Sequence, residues 1–199
     1  MERQQTEVTT TPSNDSLKVF AYLEAKLGES SEIIGVGDSK EVSKVDIMAV
    51  HDRPEQGVKT YATLDFATHD IGLEANGKDL RVELVMACGA GYQHGAHILA
   101  SCAFEAMNDG ANIGPGEILE DVVALYHPDF VMQHAMLVDP FLWDMESQQL
   151  ETRTVAFLQI IPISTAEADY AEANGPDALQ DRFVAEQIDV YDLERSSVI

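Results

Sequence analysis

Residues 154–167 constrain the fold more than any other stretch. Thr154-Val155-Ala156-Phe157-Leu158-Gln159-Ile160-Ile161-Pro162-Ile163 is a run of β-branched and large apolar residues interrupted by one amide, Gln159. A run of this kind reads as a strand buried on both faces, which belongs in the middle of a sheet. The lone glutamine needs partners for its amide, because leaving it unsatisfied costs roughly 1–3 kcal/mol. Pro162 has no N–H to give to a ladder, so pairing weakens there. Ser164 to Glu167 then spells a capping box, in which hydroxyl and carboxylate satisfy the orphan amides of a helix start. A core strand hands over directly to a helix, and the rest of the chain must be laid against that unit.

The first residues, through Ser13, are polar and Thr-rich and read as a loose tail, bounded at residue 15 where the folded domain (16–199) begins. Asn14 or Asp15 caps a helix over Ser16–Leu27, with Leu17, Phe20, Leu23 and Leu27 on one face. Strands are expected over Glu32–Val36 and Val45–His51, and a long one over Lys59–Ile71. Asn76-Gly77 is the strongest hairpin signal in the chain and sets that strand antiparallel to Leu80–Cys88. Gly89 to Gly95 forms a turn into a helix over Ala96–Asn108, with Ile98, Leu99, Cys102 and Met107 inward. Ile118–Tyr126 suits a strand or a short helix equally, and His134–Asp139 reads as a strand. After the core strand come a helix over Thr165–Asn174, a second from Pro176 to about Gln187 with the proline at its first position, and a last strand over Ile188–Leu193. Runs of strands and helices without strict alternation define an α+β fold: a single domain with a mixed or mostly antiparallel central sheet flanked by helices.

Charge narrows the partner. The 199 residues carry 35 acids against 12 bases, a net of −23. The imbalance is concentrated: Val82–Ile199 holds 20 acids and three bases, and no lysine or arginine lies between Arg81 and Arg153. Nucleic acid and anionic membrane surfaces are poor direct partners for such a chain. Two readings fit, a solvated face adapted to a salty cytoplasm or a docking face for a basic protein. Two cysteines, no signal-like opening and no apolar run of membrane-spanning length point to a reduced, cytoplasmic protein.

Two constellations could carry chemistry. Gly89-Ala90-Gly91 between a strand and a helix resembles the turn that admits a nucleotide or S-adenosylmethionine to a helix N-terminus. That motif normally opens an alternating βα array, which is missing here, so structural turn glycines are the stronger reading. Cys88, His94, His97 and Cys102 could be drawn as a zinc site, but no Cys-x-x-Cys or His-Glu-x-x-His spacing exists and Cys102 fits the helix's apolar stripe. No Gly-x-Ser-x-Gly elbow surrounds a serine. No catalytic, cofactor-binding or metal-ligating residue is therefore assigned, and the partner-binding residues are unassigned.

A set of motifs nevertheless has a familiar order. Tyr61-Ala62-Thr63-Leu64-Asp65-Phe66, Arg81-Val82-Glu83-Leu84, Asp139-Pro140, Phe157-Leu158-Gln159-Ile160-Ile161-Pro162-Ile163 with Glu167, Gly175, Ala178-Leu179, Asp189 and Arg195 together resemble the Suppressor-of-fused domain family in its small, single-domain bacterial form. Asp65 departs from the small residue expected at its position. The resemblance implies a mixed α/β domain that works by binding other proteins, without a catalytic site or cofactor. It further implies an immunity protein or antitoxin facing a basic, nuclease-like toxin; a regulatory adaptor holding an extended peptide on a sheet edge is a separate reading. Gln159, Glu83 and Arg195 are expected to share one buried polar network.

Overall fold

Residues 153–164 do form the strand about which the molecule is built. The computed structural model describes residues 13–40 and 42–199; of the proposed tail, residues 1–15, the first 12 lie outside them, while Asn14 and Asp15 open the first helix. In chain order the elements are α1 (Asn14–Leu27), β1 (Glu32–Gly37), β2 (Lys44–His51), β3 (Val58–Thr63), β4 (Leu73–Ala75), β5 (Lys78–Gly89), α2 (Gly95–Asp109), β6 (Ile118–Leu119), β7 (Met132–Val138), β8 (Gln148–Gln149), β9 (Arg153–Ser164), α3 (Thr165–Asn174) and α4 (Pro176–Glu186). The sheet runs β1-β2-β3-β5-β9-β7-β6, with β4 added to β5 and β8 to β9. Only β5 and β9 are parallel; every other pair is antiparallel. The mixed sheet expected from the sequence is the one observed.

Both faces of β9 are covered, which is why it reads as one apolar run. Leu158 and Ile160 join the core under α2. Val155 and Phe157 point to the opposite face, into the core under α1, while Ile161 and Ile163 meet α3 and α4 farther along that face. The expected weakening at Pro162 has a topological form. Pairing to β5 ends at Gln159, and from there to Ser164 β9 is laddered to β7 alone. The Pro162 carbonyl accepts from Arg195 Nη2 at 3.1 Å, so it points away from β7. A strand residue's N–H points the same way as its own carbonyl, so the missing donor costs no ladder bond.

Local signals account for most element ends. The Ser164 hydroxyl accepts from the Glu167 N–H at 3.1 Å, and Glu167 Oε2 accepts from the Ser164 N–H at 3.0 Å, completing the capping box. Asn76 (φ 54°) and Gly77 (φ 74°) are both left-handed, the geometry that matches a two-residue turn to the twist of β4 and β5. Pro176 opens α4 as expected. α1 starts earlier than expected, at Asn14, because the Ser13 hydroxyl, not Asn14 or Asp15, accepts from Ser16 N–H. Its buried stripe is Val19, Leu23 and Leu27, and Leu17 is 54% exposed.

Three expectations need correction. The long strand over Lys59–Ile71 stops at Thr63 and turns into a 3₁₀ turn, Phe66–Thr68. The cause is a buried acid on the neighbouring strand: Glu83 accepts from the Thr63 hydroxyl and, at 3.1 Å, from the Ala67 N–H. That carboxyl takes a backbone donor that a continuing ladder would have used, and Asp65, the residue that departs from the family pattern, sits at the break. Ile118–Tyr126 is a two-residue strand followed by turns. Ile188–Leu193 is not a strand but a turn-rich segment, whose Tyr191 carbonyl accepts from Gly89 N–H at 2.9 Å.

Candidate functional site

Gln159, Glu83 and Arg195 lie in three separate clusters rather than one network. Gln159 Oε1 receives the Leu142 N–H at 3.4 Å, on the seam between the cores under α1 and under α3–α4. Glu83 is held by Thr63 and Ala67. Arg195 is held by Glu167, with Nη1–Oε1 at 2.7 Å and Nη2–Oε2 at 2.8 Å, a bidentate pair whose carboxylate is fully buried. Glu167 also takes the Val198 N–H at 3.0 Å, so one carboxylate caps α3 and clasps the C-terminal segment. Glu83, Glu167 and Arg195 are consumed by structure, in keeping with the view that the family motifs are framework.

The glycine turn is occupied by the chain itself. Gly89 N–H donates to Tyr191 O, Ala90 N–H to Gly57 O at 2.8 Å, and Tyr92 N–H to Gly89 O at 3.0 Å. A phosphate or a methionine carboxylate would need such donors free. Gly95, the first residue of α2, is set by packing: a Cβ there would enter the Tyr61 ring and lie 3.0 Å from Cys88 Sγ. Gly95→Ala is expected to lower stability by about 1–3 kcal/mol, since an added methyl in a filled core must displace its neighbours. Urea unfolding measures this, and an unchanged midpoint would contradict the packing described.

Cys88 and Cys102 do not converge with His94 and His97. Both thiols are buried; burial pushes Cys88 up to about 12 and raises Cys102 as well, which keeps them protonated. Among the described residues no group of three or more His, Cys, Asp or Glu side chains is placed to hold a metal ion, and no helix is long and apolar enough to cross a membrane.

The two histidines take part in a different assembly, one the sequence reading did not find. At the start of α2, His94 stacks on Tyr126 with centroids 5.4 Å apart and meets His127 edge-on at 5.3 Å. His97 lies 5.8 Å from His94 and 5.7 Å from Tyr126. His127 stacks on Phe130 at 4.3 Å, and Tyr92 packs edge-on against Phe130 at 5.9 Å. The Tyr92 hydroxyl donates to Asp192 at 2.6 Å, and burial together with that bond pushes it up to about 12. Burial and the neighbouring His94 hold His127 below the usual imidazole value, against the pull of Glu194. The signal available in sequence was the spacing of His94 and His97; the contribution of residues 126–130 is tertiary.

The acidic half is largely unneutralised. Of its 20 acids only Glu83 and Glu167 are buried and Glu105 and Asp192 half-buried, leaving 16 exposed. Of its three arginines, Arg195 is buried and Arg153 half-buried beside Asp15, so Arg182 is the one exposed. A surface of this kind repels itself and attracts a cationic one.

A mixed α+β domain whose described residues assemble no catalytic constellation is what these features define, and comparison with known proteins places it. The family model for the Suppressor of fused protein (SUFU) matches residues 41–196, and the chain belongs to that family. It is 36% identical over 174 residues to a protein named Immunity protein YqcF from Bacillus subtilis (strain 168), covering 86% of this chain and 91% of that one. A putative SUFU homolog from Neisseria gonorrhoeae FA 1090 superposes with a TM-score of 0.65 at 15% identity, over 92% of this chain and 96% of that one. A chain of the Sufu–Fu complex superposes with a TM-score of 0.59 at 14% identity, over 92% of this chain and 89% of that one. At those identities the two structures speak for the fold.

Proposed function

We propose that this chain is an immunity protein that binds and neutralises a cognate toxin in the cytoplasm, and that the toxin is a basic nuclease. The observation that carries the proposal is the 36% identity, across nearly the whole of both chains, to a protein named as an immunity protein. The surface supports the choice of partner. A nuclease must present cationic groups to a polyanionic substrate. Residues 82–199 expose 16 acids and, of their own bases, Arg182 alone, a charge complementary to such a face. Long-range attraction of this kind speeds encounter, and a fast inhibitor limits the damage done before the toxin is bound.

The test is a competition. A strain lacking this chain is expected to lose viability when grown in contact with its parent and to recover when the chain is restored. The protein then captured on the tagged chain at low salt is expected to be a nuclease that equimolar chain silences. Its association rate should fall by about tenfold or more between 50 and 500 mM salt. A deletion strain that competes as well as its parent would sink the immunity reading; a captured toxin with no nuclease activity would sink the nuclease assignment.

A further inference from the structure

We infer that the ring cluster of Tyr92, His94, His97, Tyr126, His127 and Phe130 is a docking face for an arginine-bearing segment of a basic protein. The inference rests on the immunity reading for its biological meaning and deepens it by locating the partner's seat. The cluster is set apart by what its imidazole nitrogens lack; its two tyrosine hydroxyls are bonded, Tyr92 to Asp192 and Tyr126 to Ser101. Among the described residues the hydrogen bonds of histidine rings belong to His51 and His134, and none engages His94, His97 or His127. The Nε2 of His127 is buried without a partner. Imidazoles that served only to tie α2 to the loop at 126–130 would be expected to spend their ring nitrogens on that task.

The rings are accessible: His97 is exposed and the other five are half-buried. Two apolar side chains beside them in sequence, Leu125 and Val131, are 65% and 51% exposed, giving the face an apolar margin. Aromatic faces attract cations through their quadrupoles, and a planar guanidinium can also stack on them. The surroundings have the complementary sign. Asp192 receives the Tyr92 hydroxyl, Glu194 is close enough to act on His127, and Glu105 and Asp109 line a groove with Leu125 and Tyr126. Among the described residues Lys40 is the one cationic residue lining that groove. Every ring comes from the stretch between Arg81 and Arg153 that contains no lysine or arginine. Stacking planes, unspent imidazole nitrogens and nearby carboxylates suit arginine better than lysine, whose compact and strongly hydrated charge gains little from a ring.

The test uses the full chain and two probes of equal charge, deca-arginine and deca-lysine, followed by NMR of the histidine rings at neutral pH. Deca-arginine is expected to bind about tenfold tighter, to move the ring signals of His94, His97 and His127, and to leave those of His51 and His69 in place. His97→Ala removes an exposed ring and should weaken deca-arginine by about threefold with little effect on deca-lysine. Asp177→Asn with Asp181→Asn, on the exposed side of α4, should weaken both peptides alike. Equal affinity for the two peptides, or shifts spread over the acidic surface without the three rings, overturns the inference. The two proposals fail separately. A chain that protects cells equally well as His94→Ala/His97→Ala is an immunity protein with its docking face elsewhere. A chain that keeps the arginine preference but protects no cell retains this face and loses the immunity role.

Discussion

Arg195→Met should lower the unfolding free energy by about 3–5 kcal/mol, because it strands the Glu167 carboxylate in the core. The guanidinium makes two bonds to that carboxylate, donates to the Pro162 carbonyl at 3.1 Å and lies 5.2 Å from the Phe183 ring centre. A hydrophobic replacement keeps part of the contact with Phe183 and removes every polar partner. Glu167→Gln should be destabilising for the converse reason, leaving the buried cation without its counter-charge. The double variant Arg195→Met/Glu167→Leu should recover part of the loss, since neither charge is then desolvated. Recovery should be incomplete, because Glu167 also accepts the N–H groups of Ser164 and Val198. Urea unfolding followed by the fluorescence of Trp143 measures all three. A loss below about 1 kcal/mol in Arg195→Met would mean that the pair contributes no more than a surface ion pair.

The second large effect is a pH dependence carried by Glu83. Burial lifts its carboxyl to about 8, opposed by hydrogen bonds from Thr63 and Ala67. The folded state therefore keeps a proton that the unfolded chain, at an ordinary carboxyl value, has released. Stability from this group is complete below about pH 4.5 and declines as pH rises toward 8. At 1.36 kcal/mol per unit the decline amounts to roughly 3 kcal/mol by pH 7. Glu83→Gln keeps the shape and removes the titration. The stability of the wild type relative to Glu83→Gln should fall by about 1.4 kcal/mol for each pH unit between 5 and 8. Carboxylates common to both proteins cancel in that difference. A difference that stays flat with pH would show that Glu83 does not hold its proton in the folded state.

These two residues also mark the boundary of what could be read along the chain. Glu83 stood in a recognisable Glu-Leu strand motif, yet its effect falls 16 residues earlier, at Ala67, where it ends a strand that local pattern extends to Ile71. Arg195 closed the set of family motifs, and the sequence reading placed it in a shared network with Gln159 and Glu83. Its partner is Glu167, whose visible role was the capping box. A cap is a contact between residues three apart; the ion pair joins residues 28 apart. The helix start was legible because its geometry is local, and the clasp was not.

The sequence by itself determined the core strand and its handover to α3, the Asn76-Gly77 hairpin, the proline start of α4, the mixed α+β class, the family and the uneven charge. The family rests on the resemblance of an ordered set of motifs; the rest depends on side-chain periodicity, on turn and cap chemistry within a few residues, or on composition, which survive without knowledge of the fold. Tertiary structure decided the end of β3, the coil at residues 188–193, the separation of Gln159, Glu83 and Arg195 into three clusters and the assembly of the histidine–aromatic face. Each depends on which distant groups meet. A buried carboxyl, guanidinium or ring takes its environment from strands and loops that only packing brings alongside it.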